Sequence, residues 1–396
     1  MEMRKLKKII LWGGWYGSQN VGDRALLLAI TDMLQQALDP VHFIALSAKP
    51  KKVYEYTIRD SDASIESIRT KQDMGKVITE LAKADLFIFG GAVPFFDDAN
   101  QLLAFFGLTM LARLFGTPYF LWSVSSLPSP SRLAKVIFRF VLSGARGITY
   151  RDDHTQDLFA SCGVSDEDMK QVADAAFSLR RGSKRAAQAL LAEAGWSGEE
   201  SRPLVALTPR TLRSKDREAE THYSPQSRAR YQHEIESYAA VLDWLWENKY
   251  QPIFVPMNTM SPDDDRCACK EVISFAINGE HALLIDREFS PRLAARVYQH
   301  CQASFVSRVH GSITSVTGTC PPMMYAFDEK HKGIMKVMGL DEFIIDPENH
   351  PPEHAVVLMR NLLSADTFWK DELRKTYQRL HADCFVPQKM ILELLA

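Results

Sequence analysis

Apolar residues along the chain gather into short unbroken runs, and each run is followed by a glycine- or serine-bearing loop and then an amphipathic stretch. In the first half the runs are Lys8–Trp12, His42–Leu46, Leu86–Phe89, Pro118–Val124, Gly147–Arg151 and Gln171–Asp174. In the second half they are Leu204–Leu207, Pro252–Pro256, Ala282–Ile285, Ala303–Ser307, Met323–Phe327 and Phe343–Ile345. Runs of this length without polar alternation predict strands buried on both faces, as in a parallel sheet covered by helices. The intervening stretches carry helical periodicity, among them Arg24–Leu38, Lys71–Ala84, Ala99–Phe115, Tyr231–Asn248 and Ser290–His300. The pattern is α/β. Lys49–Thr70 is polar and predicts partial helix only, and Thr211–Arg230 has no apolar period and predicts a loop.

A charged, small-residue-rich segment between Arg180 and Arg202 marks the expected domain boundary, giving a first domain over 1–180 and a second over 203–346. Helices over 351–396 are expected to lie back over the junction. At 396 residues the chain exceeds one ordinary core.

Candidate chemistry follows the strand ends, because in parallel sheets ligands bind beyond the carboxyl ends of strands, where helix N-termini offer N–H groups to anions. Arg308 and His310 follow the run Ala303–Ser307, Lys330 and Lys332 follow Met323–Phe327, and Arg210 follows Leu204–Leu207. Each has a plainer reading: Arg308 can pair with a carboxylate, and His310 can cap or pack its helix. In the first half, Gly13–Asp23 joins a strand to a helix, but it is neither a G-x-G-x-x-G nor a P-loop pattern. Asp23 there either caps the helix or accepts hydrogen bonds from sugar hydroxyls. Gly90 and Gly91 end the run Leu86–Phe89 in a turn that allows close approach of backbone to ligand, and Arg151 ends another run. Ser261–Asp265 invites a metal-binding reading, but a Ser or Asp followed by proline and acids is a helix cap, and the cap is preferred.

Together these residues resemble a known family. Ser307-Arg308-Val309-His310, then Pro322, Tyr325, Phe327-Asp328-Glu329-Lys330 and Met338-Gly339-Leu340, look like the C-terminal signature of the polysaccharide pyruvyltransferases. Asn20-Val21-Gly22-Asp23 and Gly90-Gly91 resemble the other hallmarks, with Arg24 and Ala92 as departures. The resemblance implies two Rossmann-like domains facing a cleft, similar to the GT-B glycosyltransferases. It also implies transfer of a pyruvyl group from phosphoenolpyruvate to a sugar as a ketal, without cofactor or metal. His310 and Asp23 would then be catalytic, and Arg308, Lys330, Arg210, Arg151, Asn20, Gly22, Gly90 and Gly91 would bind substrate. The donor is expected on the second domain and the sugar, glycan or lipid-linked glycan on the first. Two alternatives remain open: a GT-B glycosyltransferase using a nucleotide sugar, with Asp328-Glu329 on the ribose, and a non-catalytic sugar-binding relative.

Composition narrows the partners. A formal charge of −2 argues against nucleic acid. The six scattered cysteines suggest a reducing, cytoplasmic setting, and Cys267 and Cys269, two apart on a helix, point to different faces and lack a zinc-spaced partner pair. No apolar window reaches membrane-spanning length, so membrane contact is expected only as peripheral association at the inner face, through the acceptor.

Overall fold

The computed structural model describes residues 6–13, 15–91, 95, 99–126, 130–198, 202–212, 217–219, 222–223, 225–364 and 366–396. Ala92 and the expected cap Asp97-Asp98 lie outside the described residues. The chain divides into two compact units: Met1–Ser18 with Asp23–Leu179 and Arg379–Ala396, and Gln19–Gly22 with Arg180–Gln378. Asn20 and Gly22, expected in the first domain, therefore group with the second unit.

The first unit alternates β1 (Lys7–Trp12), α1 (Val21–Leu38), β2 (Val41–Ser47), α2 (Pro50–Asp60), β3 (Ile65–Arg69), α3 (Met74–Ala82), β4 (Leu86–Gly90) and α4 (Ala99–Phe115). It continues through β5 (Tyr119–Val124), α5 (Arg132–Leu142), β6 (Gly147–Tyr150), α6 (Asp153–Ser161) and β7 (Met169–Gln171). Its parallel sheet has the order β3-β2-β1-β4-β5-β6-β7, so strand order reverses between β1 and β4. The core is aromatic. Phe89 packs edge-on against Trp12, Phe105 and Tyr119, and Phe95 packs against Phe105, Phe138 and Phe159.

The polar stretch Lys49–Thr70 forms α2 and the edge strand β3, whose buried Ile65 and Ile68 are too few to give an apolar run. Arg24 is fully buried, with its guanidinium carbon 4.8 Å from the Tyr56 ring centroid and Nη2 3.5 Å from Asp60 Oδ2.

The second unit contains α7 (Lys184–Glu193), β8 (Leu204–Thr208), β9 (Arg217–Ala219), β10 (His222–Tyr223), α8 (Pro225–Glu247), β11 (Gln251–Phe254), α9 (Asp265–Phe275) and β12 (Leu283–Leu284). Then come α10 (Pro291–Tyr298), β13 (Cys301–Val306), α11 (Val309–Thr317), β14 (Pro322–Tyr325), α12 (Glu329–Met338), β15 (Ile344–Ile345) and α13 (His354–Ser364). The helices α14 (Asp366–Asp383) and α15 (Val386–Leu395) follow, and the chain rejoins the first unit at Arg379. The main sheet is parallel with the order β12-β11-β8-β13-β14-β15, reversing between β8 and β13. In place of the expected loop over Thr211–Arg230 stand the antiparallel hairpin β9–β10 and the first turns of α8, which begins at Pro225. Cys267 is exposed and Cys269 buried, as their two-residue spacing on α9 requires.

Candidate active site

In the second unit, the point where strand order reverses is where the predicted cations fall. Thr208 at the end of β8 pairs with Val306 at the end of β13, so Arg210 and Arg308 leave neighbouring strands on the side where open parallel sheets bind ligands. The two strand ends are fixed from behind. Tyr238 of α8 stacks on Phe305 at 3.9 Å, and its hydroxyl lies 3.0 Å from Thr208 O and 2.9 Å from Ser307 Oγ. Thr208 Oγ1 also meets Tyr298 OH of α10 at 2.8 Å. A deeply buried polar cluster satisfied in this way holds one arrangement.

Arg308 is the N-cap residue of α11, and its guanidinium is gripped bidentately by Asp265: Nε donates to Oδ2 and Nη2 to Oδ1, each at 2.6 Å. Asp265 is fully buried. Burial opposes the charge on Arg308, but Asp265 outweighs it and raises the Arg308 pKa, so the guanidinium stays charged. The acidic run before α9 thus splits its work. Asp264 caps the helix by accepting from Arg266 N at 3.0 Å, so an acid of the run is the cap as expected, but Pro262 lies before the helix and not in its first turn, and the next residue anchors Arg308.

Arg210 lies with its guanidinium carbon 3.6 Å from the Phe327 ring centroid, and its backbone N–H donates to Glu234 Oε1 at 2.9 Å. Glu234 of α8 is fully buried, and desolvation pushes its pKa up to about 7 against the pull of Arg210. Near neutrality it therefore takes up or releases a proton behind the two arginines. Unfolded, it would ionise in the ordinary carboxylate range, whereas in the fold it keeps its proton to about pH 7. Its stabilising contribution is fully present below the unfolded value and fades as pH rises to neutrality. Glu234→Gln should flatten this fall, measured as the melting temperature of variant and wild type between pH 5 and pH 7.5; parallel curves would contradict it.

Lys330 opens α12, its ammonium 3.4 Å from Asp328 Oδ2. Asp328 is the N-cap residue but does not cap through its side chain; instead Oδ1 accepts from His331 Nδ1 at 2.6 Å. Burial holds His331 down to about 4, so it is neutral at working pH and keeps the carboxylate fixed beside Lys330.

His310 occupies the first turn of α11 and lies against Gly22. A Cβ on Gly22 would stand 2.4 Å from His310 Cγ and Nδ1 and 2.7 Å from its Cβ. Gly22 is brought there because Gln19–Gly22 is strapped to the second unit. Val21 N donates to Met257 O at 2.8 Å, Asn20 bridges Asn258, and Gln19 Nε2 donates to Glu288 Oε2 at 2.7 Å. Asn20 Oδ1 in turn accepts from Gly22 N at 2.8 Å. Gly22→Ala should displace the imidazole, lower turnover about tenfold and cost about 1 to 3 kcal/mol of stability through the overpacked contact. Unchanged turnover would mean that the ring position carries no function.

The first unit holds Asp23, Gly90 and Gly91 near its own reversal point, between β1 and β4, and Arg151 farther along the sheet, after β6. Tyr16 OH donates to Gly90 O at 3.2 Å. Gly91 sits at φ +58°, and a side chain there would meet Leu26 Cδ2 at 2.6 Å. The glycine turn thus makes room for α1. Asp23 accepts from Ser18 Oγ at 2.8 Å. Arg151 is buried and held by Asp174, with Asp152 Oδ2 3.8 Å from its Nε. Among the described residues no three His, Cys, Asp or Glu side chains gather as a metal site.

Two parallel α/β sheets, each with candidate residues at its point of strand reversal, define a two-unit fold of the GT-B type. Solved structures of that kind align along most of the chain. A UDP-GlcNAc 2-epimerase from Neisseria meningitidis matches with TM-score 0.61 at 8% identity, covering 98% of this chain and 100% of the other. A UDP-GlcNAc 2-epimerase from Methanocaldococcus jannaschii matches at 0.58 and 12%, covering 91% and 93%. An α,α-trehalose 6-phosphate synthase from Burkholderia multivorans matches at 0.54 and 11%, covering 99% and 98%. At such identities the likeness is one of fold. No curated protein matches the chain at a significant level. The sequence profile described as polysaccharide pyruvyl transferase matches residues 20–329, and the chain belongs to that family.

Proposed function

We propose that the protein transfers the pyruvyl group of phosphoenolpyruvate to two hydroxyls of one sugar in a glycan, forming a cyclic ketal and releasing phosphate. The observation that carries this reading is the pair Arg210 and Arg308 at the strand reversal of the second unit, with His310 two residues beyond Arg308. Phosphoenolpyruvate presents a phosphate and a carboxylate. Guanidinium forks suit both, and the Lys330 ammonium adds a point charge.

The reaction balances without a cofactor. One proton goes to the methylene carbon of the donor, turning it into a methyl group, and a sugar hydroxyl attacks the adjacent carbon, which has become electrophilic. That hydroxyl loses its proton, the C–O bond to phosphate breaks, and the second hydroxyl closes the ring and loses its own. Of the two hydroxyl protons, one balances the proton on carbon and one leaves on phosphate. His310 is assigned the proton transfer, because imidazole can give and take protons near neutrality. Asp23 and the Gly90-Gly91 turn are assigned to the acceptor.

The nucleotide-sugar alternative needs a carboxylate to grip a ribose. Asp328 is already engaged by His331 and Lys330, which argues against it. Calorimetric titration tests the choice: phosphoenolpyruvate should bind and uridine diphosphate should not. Binding of uridine diphosphate alone would reverse the assignment.

A further inference from the structure

The first unit carries an apolar surface that its own core does not use. On α4, Leu103 is 71% exposed, Met110 46% and Leu114 73%; on the adjoining α5, Leu133 and Val136 are each 67% exposed. The spacing places Leu103, Met110 and Leu114 in one stripe along α4, and Leu133 and Val136 in one along α5. The stripes meet where Phe106 and Phe140 pack with ring centroids 5.1 Å apart. Neither helix contains an aspartate or glutamate, whereas Arg113, Arg132, Lys135 and Arg139 are all exposed on them. Arg113 lies 4.5 Å over the Phe140 ring and donates to Phe140 O at 3.0 Å, so this cation is fixed beside the aromatic pair.

We infer that the exposed face of α4 and α5 docks on an anionic lipid bilayer. Contiguous exposed aliphatic side chains on a soluble surface mark an interaction site. The charge selects its occupant. A second copy meeting this face about a two-fold axis would set the same four cations against themselves. A nucleic acid would satisfy the cations but leave the aliphatic stripes without a partner. An anionic membrane satisfies both: the aliphatic side chains enter the boundary between headgroups and acyl chains, and the Lys and Arg stems reach back to lipid phosphates. No helix among the described residues is long and apolar enough to cross a membrane, so the attachment is superficial. It is independent of the reading of the donor site.

The test is co-sedimentation of the full chain with vesicles of phosphatidylcholine alone and of phosphatidylcholine with about one third phosphatidylglycerol. Binding should be at least about tenfold stronger to the anionic vesicles and should weaken as salt is raised. The double variants Lys135→Glu/Arg139→Glu and Leu114→Ser/Leu133→Ser should each lose about tenfold in vesicle affinity. Both should keep the wild-type melting temperature and circular dichroism spectrum. In Leu114→Trp, indole emission should shift to the blue when anionic vesicles are added. Equal binding to both vesicle types, or unchanged binding in both double variants, would overturn the inference. A concentration-dependent dimer lost in both double variants would also overturn it, giving the face to a second copy.

Discussion

Replacing His310 with glutamine is expected to cost about 10² to 10⁴ in turnover, the usual worth of a positioned general acid–base group. The variant should keep the wild-type melting temperature and most of its affinity for phosphoenolpyruvate. Glutamine preserves hydrogen-bonding capacity and approximate bulk against Gly22 but cannot take up and return a proton near neutrality. His310 is singled out by its setting: it stands in the first turn of a helix whose N-cap is Arg308, and its ring is bounded by a residue with no side chain. A variant that retained a tenth or more of wild-type turnover, with chemistry limiting the rate, would leave His310 a packing role. The proton transfer would then belong to another group.

The second large effect concerns the Arg308–Asp265 pair. Asp265→Ala should lower stability by about 3 kcal/mol, because it strands a guanidinium that is largely shielded from water and whose protein partner is that carboxylate. It should also weaken binding of phosphoenolpyruvate, since the guanidinium assigned to the donor is no longer held in one position. Arg308→Ala acts on the same site differently. Burial has already raised the Asp265 pKa, so the stranded carboxyl can take a proton, and the stability loss should be smaller. Donor affinity, however, should fall about 100-fold for the loss of charge-assisted hydrogen bonds. Chemical denaturation and calorimetry on the two variants separate these outcomes. Undiminished affinity in a folded Arg308→Ala protein would remove Arg308 from the donor site.

Much of the architecture was legible from the sequence because strands buried on both faces write themselves as unbroken apolar runs. Leu86–Gly90 and Tyr119–Val124 are buried at every position. β3 was not legible, because an edge strand with two buried residues in five leaves no such run. The hairpin β9–β10 is only a few residues long and sits in a charged segment, so its pattern is that of a loop.

In the candidate site, the positions of Arg210, Arg308, His310 and Lys330 just after strands could be read from the sequence. The groups that hold them could not. Asp265 lies one residue from a true helix cap, and its partner is more than forty positions away, so local pattern assigns it to the cap. Glu234 sits within an apparently amphipathic helix, and only the tertiary fold turns it inward beneath Arg210. His331 follows Lys330 without any sequence signal, and its role comes from the carboxylate at 2.6 Å. The loop after β1 was read with the strand it follows, although Gln19–Gly22 packs with the second unit through Met257, Asn258 and Glu288.

The most direct test of the account is to incubate the purified protein with phosphoenolpyruvate and a panel of glycans, following phosphate release and the mass of each glycan together. The account predicts phosphate and ketal-linked pyruvyl glycan in equal amounts, with neither formed by His310→Gln at an appreciable rate. Phosphate released as free pyruvate accumulates, with every glycan unmodified, would contradict it, and so would transfer that proceeds only from a nucleotide sugar.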